Sequence, residues 1–523
     1  MSRPIFHSRL LLSGEIREFF APYMSRNALF PLSHRQMVTQ LIEQPGRFRS
    51  TLPFSEKLRL KAIILNPYSD TFFGGHSLSV WDPSLILPAW QVLLRYLVQQ
   101  GIIEDEPWLG RSSHDSPKLS SVRFYLQGLD RKGFSGGSQA FDLETAFSKA
   151  LGEALERFFM YPTKLAHHRV DVRASTAGMK HHKKMFMDPE ALSQFSSEQR
   201  KESRRRQFNE TSVFSWTRVS ELLSGHCVYA PSQCFSLERF SVGKEHEPLL
   251  REQNTNAAAG GFTLEEALLS ALYEAVERDG FLVYWLNTIT PVRLDVSECQ
   301  DDEFLRLLAQ LERYQLEAHF LDTTTDIGIP SCICVLIDRS GAGPGVALGG
   351  GCSFHLESML RSSLLEALSV HGSFHRIGTP HHIPGTGDRP FCDKEIDLHE
   401  RVRIWKQPEM FPKLDFFLSG EKKPLAEVHP KRKVFSSAGE TLEYVKGIFR
   451  SLGPGYEVYY YEAKHEVLDT IGYHVVKVLI PELVGMYLYE VNAGLGARRL
   501  KSAPQKMGRT SSKQWNPWPH PFP

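Results

Sequence analysis

Apolar positions fall at helical spacing in one phrase that the chain uses three times. It reads FDLETAFSKALGEALER from Phe141, FTLEEALLSALYEAVER from Phe262 and FHLESMLRSSLLEAL from Phe354. In the first copy Leu151, Leu155 and Phe158 share an apolar face, and Glu153, Glu156 and Arg157 stand opposite. Glu274, Glu277 and Arg278 repeat that arrangement in the second copy, and Glu366 holds the equivalent of the first Glu in the third. Between these helices lie strand-like apolar runs, Val122 to Leu126, His226 to Ala230, Ser331 to Asp338 and Val475 to Ile480. Strands alternating with helices predict an α/β or α+β body.

The pattern divides the chain into 1–110, 115–510 and 511–523. The first part predicts two helices, Leu32 to Gln44 and Leu87 to Gln100, and ends in the acidic break GIIEDEPW. A helix pair followed by Leu-x-x-Gln-Gly-Ile-Ile resembles the end of a winged-helix-like module. Its second helix is mostly apolar, which suits packing or docking better than a nucleic-acid groove. Residues 174–210 are polar and basic and read as an excursion from the body. Residues 372–430, rich in His, Pro and Lys, read as surface loops. Glycines precede the second and third helices (NAAAGG at 256–261, GGG at 349–351), and they read as flexible turns suited to approach phosphate. There is no G-x-x-x-x-G-K-[ST] and no dinucleotide fingerprint.

Composition narrows the class. With 523 residues, 41% hydrophobic, 23% charged and a net charge of +1, the chain reads as a folded globular protein with no general attraction for nucleic acid or membrane surfaces. The seven cysteines contain no C-x-x-C pair and read as reduced, packed thiols. The His pairs lack zinc-ligand spacing. No apolar run reaches the length of a membrane span and no signal peptide is evident, so a cytoplasmic location is expected.

Surface Glu and Arg at these spacings ordinarily make only weak intrahelical ion pairs. Repetition changes the picture. If the three helices converge, Glu153, Glu156, Glu274, Glu277 and Glu366 meet, and their repulsion calls for hard cations among them. Oxygen-only ligands suit magnesium, which in turn holds phosphates that Arg157 and Arg278 can grip. The spacing points to a nucleotide site.

The chain stops at WNPWPHPFP, with proline at alternate positions. Such a segment is extended and costs little ordering entropy on docking. It reads either as a solvated tail or partner ligand, or as a strap pinned by Trp515, Trp518 and Phe522 that delivers His520 and the Pro523 carboxylate to an active site.

ALGEALER, NAAAGGFTLEEALLSALYEAVERDG, GGGCSFHLESMLRSSLLEAL and the PHPFP ending together resemble the YcaO family, and within it the azoline-forming cyclodehydratases of thiazole/oxazole-modified peptide biosynthesis. The resemblance covers about 115–523. It implies ATP and magnesium bound by Glu153, Glu156, Arg157, Asn256, Glu274, Glu277, Arg278 and Glu366, with Arg361 as the third-motif arginine. His520 or the Pro523 carboxylate is the candidate proton acceptor, with a structural tail as the alternative. Three departures stand out: Lys149 where the family often has Ser, Ala257 where it has a turn Gly, and Arg361 one place earlier than the family's Arg, a rotation of about 100° on a helix. The resemblance implies attack of Cys, Ser or Thr side chains of a ribosomal precursor peptide on the preceding carbonyl, with phosphorylation of the amide oxygen. It also implies an oligomeric complex with a separate ubiquitin-activating-like chain that binds the leader peptide, and an accompanying flavin dehydrogenase. Thioamide or amidine formation on the same ATP site, and a peptide-docking scaffold without turnover, are the alternatives.

Overall fold

The computed structural model describes residues 88–523 except 105–106, 112–116, 118, 128–134, 161–169, 238–240, 243–244, 342–344, 374–379, 381, 386–390, 392, 394–395, 431–432 and 523. The expected helix from Leu32 to Gln44, most of the winged-helix-like module and Pro523 therefore lie outside the described residues. The chain forms two compact units, Met1–Ala154 and Leu155–Pro523.

In the first unit, helix α1 (Pro88–Gln99) precedes an antiparallel sheet of β1 (Trp108–Arg111), β2 (Ser120–Tyr125) and β3 (Ser135–Ala140), in that order. Along β2, Val122 and Phe124 turn inward while Arg123 and Tyr125 face out, the two-residue period of a half-buried strand. Helix α2 (Leu143–Met160) carries the first of the repeated phrases and runs across the boundary between the units. Asp142 caps it by accepting the Thr145 N–H at 2.7 Å. Phe147 of α2 meets Trp90 and Phe124 edge-on, with centroids 5.6 and 5.2 Å away.

The second unit starts a sheet with β4 (Val172–Ser175), β5 (Val213–Glu221), β6 (Cys227–Pro231) and β7 (Ala258–Gly261). The chain leaves it through α3 (Leu264–Leu286) and lays down β8 (Val292–Asp295), β9 (Leu316–Asp322), β10 (Ser331–Asp338) and β11 (Val346–Cys352). Helix α4 (Leu356–Ser373) follows, then β12 (Lys422–Pro424). Strands β13 (Tyr459–Glu462) and β14 (His474–Leu479) return to the first sheet. Its order is β4-β5-β13-β14-β7 with β6 beside β5, and the second sheet runs β11-β10-β9-β8-β12.

Helix α3 joins the two sheets. Its first half, from Ala267 to Val276, packs with Val476 and Val478 of β14. Its second half, Phe281 to Leu286, packs with Ile333 and Val335 of β10 and Leu348 of β11. The sequence explains the change of character. LEEALLSALYEAVER alternates faces, whereas FLVYWL is apolar all round and therefore buried all round. Thr263 and Glu266 close a capping box at its start.

Three expectations need correcting. The glycines at 260–261 and 349–351 are strand residues of β7 and β11, not turns. They are there because helices approach the strands too closely for a Cβ: one on Gly349 or Gly351 would overlap backbone of α4. Residues 174–210 carry three short capped helices, Thr176–His181, Pro189–Leu192 and Ser197–Glu202, and bury Met179, Leu192 and Phe195. Within 372–430, Ile396, Ile404, Trp405, Met410, Leu414 and Phe417 belong to the core around the second half of α3, because the apolar residues scattered among the His and Pro residues share one face once folded.

Candidate functional site

The chemistry gathers where α3 changes from half-buried to buried. Arg278 lies 2.8 Å from Glu277, 3.5 Å from Glu274 one helical turn back, and 3.1 Å from Glu366 of α4. Three carboxyl groups thus surround one guanidinium. Backbone donors steady two of them: Ala257 N–H donates to Glu274 at 3.1 Å and Gly350 N–H to Glu366 at 2.5 Å. Glu277 rests on Gly350, where a Cβ would overlap its carboxylate.

Burial dominates the electrostatics. It raises the carboxyl of Glu277 to about 8, reinforced by Glu366 and Glu274 and opposed by Arg278. Burial likewise raises Glu274. Burial pulls Arg278 down, but the carboxylates of Glu366, Glu277 and Glu274 outweigh it and hold the guanidinium firmly charged.

Among the described residues no three His, Cys, Asp or Glu side chains converge as a preformed metal cage. Arg278 occupies the centre of the carboxylates instead. The donor set still fits magnesium, being oxygen-only, and Gly350 leaves the room that Glu277 uses.

The other sequence candidates fall as follows. Glu153 belongs to the first unit, where it accepts the Gly137 N–H at 2.6 Å. Glu156 and Arg157, in the second unit, are half-buried, and the Glu156 carboxylate acts electrostatically on Lys477 of β14. Asn256 donates its N–H to Asn254 Oδ1 at 3.1 Å and lines a cavity with Arg278 and Lys477. Arg361 pairs with Asp301 at 3.1 Å and Glu303 at 3.7 Å, so its ion pairs are not with the three carboxylates. That follows from its place five residues before Glu366, on another side of α4.

The tail is docked. Asn516 donates from its backbone to Leu286 O at 2.9 Å and from its side chain to Trp285 O at 3.2 Å, covering the last carbonyls of α3. Trp405 Nε1 donates to Pro519 O at 2.9 Å, and Trp285 Nε1 to Trp518 O at 3.3 Å. Phe522 is buried, with the Arg278 guanidinium 4.1 Å from its ring centroid. His520 is fully buried against Tyr487, ring centroids 4.6 Å apart. Burial, with Arg401 and Arg278 acting in the same direction, keeps its imidazole neutral.

Sequence reasoning passes over three things. Asp279 follows the Glu-x-x-Glu-Arg phrase and is fully buried, its carboxylate 2.7 Å from Arg499, which also reaches Asp326 at 2.9 Å. Lys477, a buried lysine in an apolar strand, faces the cavity beside Arg278. Gly350 reads in the sequence only as a turn residue. A lone Lys inside VVKVL is the available signal for the second.

The comparisons agree with this architecture. A heterocyclase in complex with substrate and cofactor superposes with a TM-score of 0.65 at 19% identity, covering 82% of this chain and 57% of that one. YcaO from Methanopyrus kandleri bound with AMPPCP and Mg2+ gives 0.51 at 18% identity, covering 76% and 91%. The E. coli microcin synthetase McbBCD complex with pro-MccB17 bound gives 0.51 at 12% identity, covering 80% and 97%. At these identities the likenesses show the fold. Curated relatives match over shorter stretches; the one from Rhizobium leguminosarum bv. trifolii is 30% identical over 148 residues, and the match spans about a third of its length (34%). The family model for YcaO cyclodehydratase, ATP- and Mg2+-binding, matches residues 137–484, more than half of the sequence, and the chain belongs to that family.

Proposed function

We propose that this chain is an ATP-dependent cyclodehydratase that converts Cys, Ser or Thr residues of a ribosomally made precursor peptide into thiazolines or oxazolines. The observation that carries the reading is Arg278: three carboxylates surround its guanidinium, and the Pro-rich tail lays Phe522 upon it. The site and the tail are thereby one unit.

In this reading Glu274, Glu277 and Glu366, with Glu156 of α2, would hold magnesium, and Arg157, Arg278 and Asn256 would orient the nucleotide. Bound nucleotide supplies a phosphoryl group for the peptide amide oxygen, turning a poor leaving group into a good one. The protein's part is positioning and charge neutralisation. The attacking side chain forms a bond to the preceding carbonyl carbon, the amide oxygen departs with the phosphoryl group, and the amide nitrogen loses its proton as the C=N bond forms. His520 and Pro523 of the tail are the candidates for the proton acceptor. His520, buried and neutral, suits seating the tail better than titrating in solvent.

A separate leader-binding chain of the ubiquitin-activating-like kind would present the peptide, and a flavin dehydrogenase would oxidise the rings. The McbBCD neighbour, a complex with its pro-peptide bound, supports a multi-chain assembly. Among the described residues no helix is long and apolar enough to cross a membrane. The decisive experiment is mass spectrometry of a candidate precursor incubated with this protein, its partner, magnesium and ATP. Loss of one water per ring, dependent on ATP, is expected. Gain of sulfur in the presence of sulfide would move the assignment to thioamide formation.

A further inference from the structure

Behind the carboxylates lies a cavity of about 70 Å³, lined by Arg278, Asn256, Asn254, Arg251, Lys477 and Gly485 among others. Its charge is opposite to that of the carboxylate side. Lys477 is only 7% exposed and sits in β14 opposite Ala258 of β7. Burial lowers its ammonium to about 8, which still leaves it mostly charged at neutral pH. An ammonium group has three donors. In the described residues Lys477 directs one to the Asn254 carbonyl and has no carboxylate within ion-pair distance. Arg251 spends Nε and Nη2 on the single carbonyl of Leu192, both at 3.3 Å, and likewise has no ion-pair partner among the described residues.

Two cations are therefore held at one cavity without counter-charges in contact, in a molecule that surrounds the neighbouring Arg278 with three. Unpaired buried charge is strongly destabilising unless a ligand compensates it. Other titratable groups at the cavity do not supply that compensation. Glu252 and Cys234 also line the cavity, and among the described residues neither makes an ion pair with Lys477 or Arg251. Glu156 and Glu274 act on Lys477 electrostatically without an ion-pair contact. At roughly 10–15 Å³ for each water, the space is of a size for a compact oxyanion.

We propose that Lys477 and Arg251 form an oxyanion-binding cavity that takes a phosphoryl group, either the terminal one of the bound nucleotide or the inorganic phosphate left after its transfer. The proposal rests on the nucleotide-dependent reading above and adds two residues to it. Lys477 would draw the phosphoryl oxygens to the side of the site opposite the carboxylates, so that negative charge on the group is met from both directions.

The test uses the full chain. Binding of inorganic phosphate is measured by calorimetry for the wild type and for Lys477→Met, Arg251→Met and Lys477→Arg, with thermal melting to verify folding. Phosphate affinity is expected to fall about tenfold or more in each Met variant, the scale of one charge-assisted hydrogen bond, and to be largely kept by Lys477→Arg. If Lys477→Met fails to fold, Arg251→Met alone carries the comparison. Equal phosphate affinity in wild type and folded Met variants, or no phosphate binding to the wild type, overturns the proposal. Competition with ATP and magnesium distinguishes the sources. Displacement of phosphate by nucleotide assigns the cavity to the terminal phosphoryl group, and simultaneous binding assigns it to the released product. Phosphate binding that depends on Lys477 with no loss of water from any peptide would count against cyclodehydration while leaving the cavity in place.

Discussion

Glu277 and Gly350 touch across two elements: the carboxylate of the one, on α3, occupies the space where a side chain of the other, on β11, would begin. Successive residues of a strand face opposite ways, so Gly349 and Gly351 accommodate α4 while Gly350 accommodates Glu277. The three glycines look alike in sequence and differ in consequence.

Gly350→Ala is accordingly expected to displace the Glu277 carboxylate and to lower kcat by about a hundredfold, the scale associated with misplacing a reacting group by an ångström. Gly351→Ala strikes the carbonyl of Met359 in α4 instead, and its main effect is expected on stability, about 1–3 kcal/mol. Steady-state kinetics and urea denaturation on both variants separate the two. Equal kinetic losses would contradict the division of labour.

Ala257 holds φ at +60°, the left-handed region, at the position where the family resemblance has a glycine. Its N–H reaches Glu274 because the backbone turns this way. Restoring glycine relieves about 1–2 kcal/mol of steric cost but loses a buried methyl and adds unfolded-state freedom, so Ala257→Gly is expected within about 1 kcal/mol of wild type. Ala257→Val places a β-branched residue where it is least tolerated and is expected to cost more than about 2 kcal/mol. Chemical denaturation midpoints check both.

The helices are legible because an apolar stripe at a period of 3.6 is local information, and Glu274, Glu277 and Arg278 lie within little more than a single turn. Their partner Glu366 is legible only through repetition of the phrase. Arg278 as the centre of the carboxylates depends on α4 folding against β11, and no local pattern encodes it. The glycine runs mislead because a residue without a side chain has no periodicity of its own; it reads as a turn until the neighbour that excludes its Cβ is known. Asp279 and Arg499 are far apart in sequence, and each alone looks like a solvated charge. Their mutual burial is a property of the tertiary structure.

Magnesium dependence should vary with pH. In the folded protein Glu277 and Glu274 hold their protons above the ordinary value of 4.5, Glu277 to about 8. The folded state therefore binds more protons than the unfolded state in this window, and the contribution of these groups to stability declines as pH rises from 4.5 to about 8. A divalent cation competes with those protons. The rise in melting temperature caused by magnesium and ATP is expected to grow across the same window, with protons released on binding. Calorimetry in buffers of different ionisation enthalpy measures that release, and Glu277→Gln should reduce it and abolish turnover. Proton release that is unchanged in Glu277→Gln would remove Glu277 from the cation site.

The tail offers the sharpest separation between folding and catalysis. Most of its anchoring lies upstream of its last residues: Asn516 covers the end of α3, and the carbonyls of Trp518 and Pro519 accept from Trp285 and Trp405. Phe522 adds a buried ring that rests on Arg278 and lies 5.0 Å, centroid to centroid, from Phe281. Removing Phe522 and Pro523 therefore keeps the backbone anchors but uncovers Arg278, freeing a guanidinium already drawn by three carboxylates. We expect the truncated protein to lose up to about 3–5 kcal/mol of stability from the missing ring, to remain folded, and to lose cyclisation by far more than its affinity for ATP. Phe522→Leu, which keeps an apolar cover without the ring face, should fall between the two in turnover. ATP binding by calorimetry beside peptide mass loss distinguishes a strap that only closes the core from one that completes the site; a truncated chain that still cyclises at the wild-type rate would leave the tail a purely structural role.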